Sequence, residues 1–350
     1  MTLRCVDAGG RLHEARATPS ESAARFAGRL ESRSLFALVV RGFSANNARG
    51  SLPSAQCVVD FFGGLVVSRV SVPRLVALAD GMPLLEREIV ETVARLTLVS
   101  GRQLTHLFNY FYISDSSVSA VPSSTHARRA RRVLARLVEQ RVLDRLERRQ
   151  GGVGGGSSAW VYALGPAGRR IVAYWAGEGL PRSRGAHEPG VAWTAHTLAV
   201  SDLYLRLRQA EWAGRVELLD FDAEPACWRR YTRLGGAAGV LKPDAFVRLG
   251  VGEYEDSFLV EVDLGTEHRG QLIRQHRAYG EYFRAGEEQA KTGVFPGVLW
   301  IVPDAQRKAL LTDIHQGQPE QTRRLFTVAT SAQAIDALCG QDTTATGDTA

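Results

Sequence analysis

The sequence predicts a protein of mixed α/β and α+β class, with a small helical module ahead of a larger domain built on a sheet. Three observations predict it. Between residues 84 and 138 three apolar-periodic helices succeed one another and lead into two short β-rich runs. Between residues 242 and 264 two further β-rich runs flank the glycine-containing turn Gly250–Glu255. Gly297–Pro303 is a continuous apolar run, the pattern of a parallel strand covered on both faces by helices.

Composition limits the function classes. The chain has 350 residues, enough for two domains, and 45% are hydrophobic, enough for ordinary cores. Cys5, Cys57, Cys227 and Cys339 are dispersed and form no C-x-x-C pair, which excludes a zinc ribbon and a disulfide framework and fits a reducing cytoplasm. No apolar run approaches the roughly 20 residues of a membrane helix. Met1–Cys5 lacks a basic region leading into an apolar core, so no signal peptide and no membrane partner are expected. A nucleotide-driven motor is excluded by the lack of a G-x-x-x-x-G-K-[ST] loop.

Residues 1–80 form a poorly readable N-terminal extension, expected to be partly disordered. Leu35–Gly42 and Val58–Val67 have the makings of short strands, and Val72–Asp80 reads as a lead-in helix. Residues 81–178 carry the helical module. Leu85, Ile89, Val93 and Leu96 mark its first helix; Ser100 caps a second over Gly101–Tyr110; Ser123, Ser124 and Thr125 introduce a third, with Ala130, Val133, Leu134 and Leu137 inward. Val142–Leu146, the glycine-rich turn Gly151–Gly156 and Ala159–Leu164 make a hairpin, and Pro166–Gly177 closes the module. Three helices followed by a hairpin describe a winged helix-turn-helix.

Its charge points to a partner. Between Ser123 and Gln150 stand nine arginines (128, 129, 131, 132, 136, 141, 145, 148 and 149) against Glu139, Asp144 and Glu147, a surplus equal to the +6 of the whole chain. Such a one-signed patch is the footprint of a phosphate-binding surface. Arg128, Arg129, Arg131, Arg132, Arg136 and Arg145 are therefore the candidate contacts to double-stranded DNA, most of them to backbone phosphate.

A linker follows over residues 179–190, rich in Pro, Gly and charge, and then a domain over 191–338. Val191–Glu211 reads as a long helix carrying His196, Val216–Phe221 as a strand, and Glu224 and Trp228 as part of a loop over the site. Lys242–Arg248 and Ser257–Leu264 form a strand pair. Alternation puts Leu259, Glu261 and Asp263 on one face of the second strand, with Phe258, Val260, Val262 and Leu264 on the other, and groups Lys242, Asp244 and Phe246 on the first. Asp244, Glu261 and Asp263 then converge, with Lys242 beside them. Three such carboxylates repel unless a cation lies between them, and hard oxygen ligands suit Mg²⁺ or Mn²⁺, which activate water for attack on a phosphate. A solvated polar strand face is the alternative. Thr266 is the expected cap of a helix over Glu267–Arg284, whose face holds Leu272, Gln275, Tyr279 and Tyr282, with Arg274 and Arg277 offering positive charge. A helix through Leu310, Leu311 and Ile314 and a strand Arg324–Val328 complete an α-β-β-β-α-β-α-β order, and residues 339–350 form a tail expected to be disordered.

Pro243-Asp244, Glu261-Val262-Asp263 and Gln275-His276-Arg277-Ala278-Tyr279 together resemble the core of PD-(D/E)xK nucleases, the last being similar to a Q-x-x-x-Y exonuclease signature. The resemblance implies a restriction-endonuclease-like α/β domain with Asp244, Glu261, Asp263, Lys242, Gln275 and Tyr279 as catalytic candidates. Where the superfamily has lysine, two residues after the acid, this chain has Asp263, so Lys242, Arg274 or Arg277 must supply the cation. More closely, Lys242–Phe246, Glu261–Glu267 and the Arg277-Ala278-Tyr279 helix resemble the replication-relaxation family, from about Ser71 to Leu338. That likeness implies a plasmid or conjugative-element protein working with other replication or transfer proteins. Two roles stay open: a metal-dependent DNA nuclease or nickase, and a non-enzymatic DNA-binding accessory or regulatory factor on a degenerate nuclease fold.

Overall fold

The computed structural model describes residues 2–6, 12–16, 70–113, 123–146, 160–181 and 190–340. Two short strands open it, β1 (Thr2–Val6) and β2 (Leu12–Arg16), paired antiparallel with Thr2 opposite Arg16. The expected strands Leu35–Gly42 and Val58–Val67, the turn Gly151–Gly156, Arg148 and Arg149, most of the linker and residues 341–350 of the C-terminal tail lie outside the described residues.

The helical module begins with α1 (Val72–Asp80) and α2 (Leu84–Leu96), whose Ile89, Val90, Val93 and Leu96 are buried at helical spacing. The two-residue strand β3 (Val99–Ser100) leads into α3 (Gly101–Ile113). Ser100 caps α3 as expected and does so reciprocally. The Gln103 amide donates to Ser100 Oγ (3.2 Å) and the Ser100 amide donates to Gln103 Oε1 (2.9 Å), satisfying two otherwise orphaned N–H groups. In α4 (Ser123–Glu139) Ala130, Leu134 and Leu137 are fully buried. The helix stops where Arg141 adopts φ 61°, and the Val142 amide reaches back to the Leu137 carbonyl (2.9 Å), a Schellman closure. Strands β4 (Leu143–Leu146) and β5 (Val161–Leu164) pair antiparallel, and β3 joins the other edge of β5. Pro166 pre-sets the first turn of α5 (Pro166–Trp175), which packs so closely on the α4–β4 turn that a Cβ at Gly168 would lie 2.1 Å from the Val142 carbonyl oxygen.

The long helix α6 (Val191–Trp212) is buried on most of its circumference because it is packed on two sides. Towards the helical module, Ser201 Oγ donates to the Leu98 carbonyl (2.6 Å) and Gln103 Nε2 to the Leu198 carbonyl (2.9 Å). Its other side lies on the main sheet. That sheet contains β6 (Glu217–Ala223), β9 (Ala245–Val251), β10 (Tyr254–Val262), β11 (Gly297–Val302) and β12 (Phe326–Thr330), hydrogen-bonded in that order. β9 pairs antiparallel with both β6 and β10; β11 and β12 run parallel to β10. β1 adds to the free side of the start of β10, Thr2 opposite Tyr254. The hairpin of β7 (Arg229–Thr232) and β8 (Ala238–Leu241) stands apart from this sheet and is an addition to the expected order.

Helices α7 (Arg269–Ala285), α8 (Glu287–Thr292), α9 (Ala305–Gln316) and α10 (Glu320–Arg323) cover the far face, and α11 (Ala334–Leu338) closes the described chain. Alternation along the strands divides the sheet as expected. Val260 and Val262 join Val247, Leu249 and α6 in one core, whereas Leu259, Trp300 and Val302 join Leu272, Tyr279 and Leu311 in the other. The first core runs without a break from the sheet through α6 into α2, α4 and α5, so the helical module and the sheet share apolar contacts.

Candidate functional site

Asp244 is held by its backbone before its side chain is considered. Its N–H donates to the Val260 carbonyl (3.0 Å), and its own carbonyl accepts from the Glu224 amide (3.1 Å), fixing it at the open end of the β9–β10 ladder beside the loop after β6. Asp244 Oδ2 then accepts the Val262 amide (2.7 Å) and Oδ1 lies 2.9 Å from His196 Nε2, delivered by α6 from the other layer. This hydrogen bond to Asp244 raises the His196 pKa, against the opposing effect of burial.

Glu261 follows two residues after Leu259 on the same face of β10 and is 7% exposed. The Tyr279 hydroxyl of α7 donates to its Oε1 at 2.5 Å. Burial drives the Glu261 pKa well above the ordinary carboxylate range, the charge of Asp244 adds to the rise, and the tyrosine bond opposes it. Glu224 and Glu267 are raised as well, each by burial first and by neighbouring carboxylates next. Gln275 and Gln271 steady Glu267, their Nε2 groups lying 3.4 and 2.5 Å from its Oε1. Crowded acids with one histidine therefore surround the ends of β9 and β10.

The sequence expectations are met unevenly. Asp244, Glu261, Tyr279 and Gln275 come together in this centre, and His196 belongs to it. Asp263 lies on the same face of β10, but its oxygens are occupied: Arg307 from α9 binds it in bidentate fashion (Nε–Oδ2 2.5 Å, Nη2–Oδ1 3.1 Å) and the Gly265 amide donates to Oδ1 (2.7 Å). Among the described residues no three His, Cys, Asp or Glu side chains group closely enough to hold a metal ion. Lys242 is turned away onto the Trp228 ring, 4.4 Å from its centroid, where it lowers the pKa of Glu224. Arg274 and Arg277 are exposed, and Arg277 lines a separate cleft. The cap of α7 is His268, whose Nδ1 accepts the Gln271 amide, in place of Thr266; the chain bends at Gly265 (φ 80°), and the helix begins later than its charge pattern indicates.

Sequence reasoning missed Arg307 and the partnership of Glu267. Arg307 lies 44 residues beyond its carboxylate partner, and its only local mark is a first-turn place after the Asp304 cap.

In the helical module α4 presents Arg128, Arg129, Arg131 and Arg132 to solvent. Arg136, by contrast, pairs with the buried Glu86 of α2. Arg145 stacks on Trp160, 4.0 Å from the ring centroid. Cys227 and Cys339 are buried free thiols; burial pushes Cys227 up in pKa, and its Sγ donates to the Pro243 carbonyl (2.9 Å). No described helix is long and apolar enough to cross a membrane.

An arginine-bearing helical layer joined through one core to a mixed sheet with a buried acidic centre defines a mixed α/β protein. A family model described as replication-relaxation matches residues 91–298, more than half of the chain, a span that takes in Asp244, Glu261 and Tyr279 and stops short of Arg307. The chain belongs to the replication-relaxation family. Membership suggests a role in plasmid replication or relaxation. No curated protein and no solved structure gives a match.

Proposed function

We propose that this protein binds double-stranded DNA through α4 and acts in plasmid replication, DNA relaxation or conjugative transfer, in the cytoplasm and alongside other proteins of the element. In this reading α2, α3, α4 and the β3–β5–β4 sheet are a winged helix-turn-helix, and the sheet domain is a PD-(D/E)xK-like fold serving as its scaffold. The supporting observation is the exposed quartet Arg128, Arg129, Arg131 and Arg132 on the third helix of that module. Four guanidinium groups on two helical turns favour phosphate contacts over base edges. Arg136 is withdrawn from this role by Glu86 and holds α4 against α2.

The test is the triple variant Arg128→Ala, Arg129→Ala, Arg132→Ala, titrated with duplex DNA at several salt concentrations. Affinity falls for all sequences, and the log–log salt slope decreases by about 0.9 for each phosphate that the variant no longer neutralises. An unchanged affinity and slope in the folded variant would defeat the proposal.

A second reading, metal-assisted cleavage of a DNA phosphodiester, draws on the raised pKa values of Glu224, Glu261 and Glu267, since crowded carboxyl groups are what a Mg²⁺ or Mn²⁺ ion would relieve. In this arrangement Asp244, Glu261 and Asp263 do not share a metal shell, because Asp263 is committed to Arg307. We therefore favour the binding role and route no chemical step through a metal. A rise in Tm on adding Mn²⁺, abolished by Asp244→Ala, would reverse that preference.

A further inference from the structure

The flank of α7 that faces α9 and α10 carries Ile273, Arg277, Gly280 and Arg284 at alternating steps of four and three residues, a single helical stripe. Together with Ile314 and Pro319 across from it, this stripe encloses a cleft of about 540 Å³. Two acids border the cleft and both are matched. Asp313 is bound by Arg269 (2.6 Å), and Glu281 lies 3.5 Å from Arg233 and 3.4 Å from the Tyr231 hydroxyl. Among the described residues neither Arg277 nor Arg284 has an ion-pair partner.

Gly280 stands between these two arginines on the stripe and is buried. The Arg284 guanidinium and the Thr322 methyl each lie 3.6 Å from where a Cβ would stand, so Arg284 folds back along the helix over Gly280 and both arginines line the one cleft. Seven residues of helix, a rise of about 10 Å, separate their backbones, and the return of Arg284 over Gly280 brings its charge closer to Arg277 than that. Two guanidinium groups lining one elongated cleft suit successive phosphates along a chain better than one free phosphate. Ile273, Ile314 and Pro319 offer apolar surface to the sugars and bases between. A recessed channel between two helices admits one strand, whereas a duplex groove is entered by a protruding helix or ribbon.

We propose that this cleft is a binding site for single-stranded nucleic acid, with Arg277 and Arg284 on its phosphates. It is separate from α4 and does not rest on the duplex-binding role proposed for that helix.

The experiment uses the full chain and fluorescence anisotropy with a labelled oligothymidylate, a labelled duplex and thymidine monophosphate as competitor. Arg277→Ala with Arg284→Ala lowers single-strand affinity at least tenfold and reduces the salt slope by about 1.4, two phosphates at about 0.7 each for single strands. Duplex affinity stays at the parental value, while the α4 triple variant retains single-strand binding. Arg277→Glu with Arg284→Glu gives a larger drop in single-strand affinity, with circular dichroism unchanged. The proposal is overturned by parental single-strand affinity and slope in either folded double variant. It is overturned equally by a parallel fall in duplex and single-strand binding, or by competition from thymidine monophosphate at the oligonucleotide's own concentration, which would make the ligand a free nucleotide.

Discussion

Glu261 stands among Asp244, Glu224 and Glu267, with the Tyr279 hydroxyl as its hydrogen-bond donor. Burial and like charge raise its pKa in the folded chain, whereas in the unfolded chain it titrates in the ordinary range. Between those two values the folded state holds the extra proton, so stability falls as pH rises through the window. Each unit of such a rise removes about 1.4 kcal/mol at pH values above it. Glu261→Gln should therefore raise Tm by a few degrees at pH 7, with the advantage vanishing near pH 4, because glutamine still accepts the Tyr279 bond without the charge. Calorimetry across that pH range measures it, and a Tm gain independent of pH would show that packing rather than ionisation is responsible. The residue pattern at this centre was only half legible. Alternation along β10 places Glu261 and Asp263 on one face from sequence alone, but nothing local tells that Arg307 will occupy the second of them.

At the scale of elements, the α4–β4 turn shows how closely the pieces of the helical module are fitted. Gly168 in α5 meets the Val142 carbonyl with no room for a side chain. Gly168→Ala, which in an exposed helix would stabilise by about 1 kcal/mol, should here destabilise by roughly 1–3 kcal/mol, because the methyl group meets backbone that cannot rotate away. Urea unfolding of parent and variant decides the sign, and a stabilised variant would mean that α5 sits less tightly than described. Helices were legible as elements because their stripes are long: α2, α4 and α5 each carry buried residues at three- and four-residue steps. β7 and β8 were not. Arg229–Thr232 and Ala238–Leu241 are four residues each, polar or glycine-containing, and only their mutual pairing makes them strands. β1 and β2 escaped notice for the same reason, since the strand that β1 joins lies about 250 residues further on.

The whole molecule is organised by α6. Val200, Leu203, Tyr204 and Leu207 lie in the apolar cluster that also contains Val93 and Leu134 of the helical module and Val247 and Val260 of the sheet. Leu207→Ala should cost about 2–5 kcal/mol and lower hydrogen-exchange protection in α2 and in β9 together, because both rest on the same apolar cluster. A fall in protection on one side alone would show two independently stable units. Local pattern was enough to establish the mixed α/β class, the helix order, the arginine surplus on α4, the faces of β10 and the family likeness, because periodicity and charge survive without partners. Only the folded chain settles that His196 reaches Asp244, that Arg307 claims Asp263, that Lys242 turns to Trp228, and that one core joins the halves. Each is a meeting of side chains far apart in the chain, selected by the desolvation of a buried charge or an apolar face, and the sequence near either partner carries no trace of which neighbour will satisfy it.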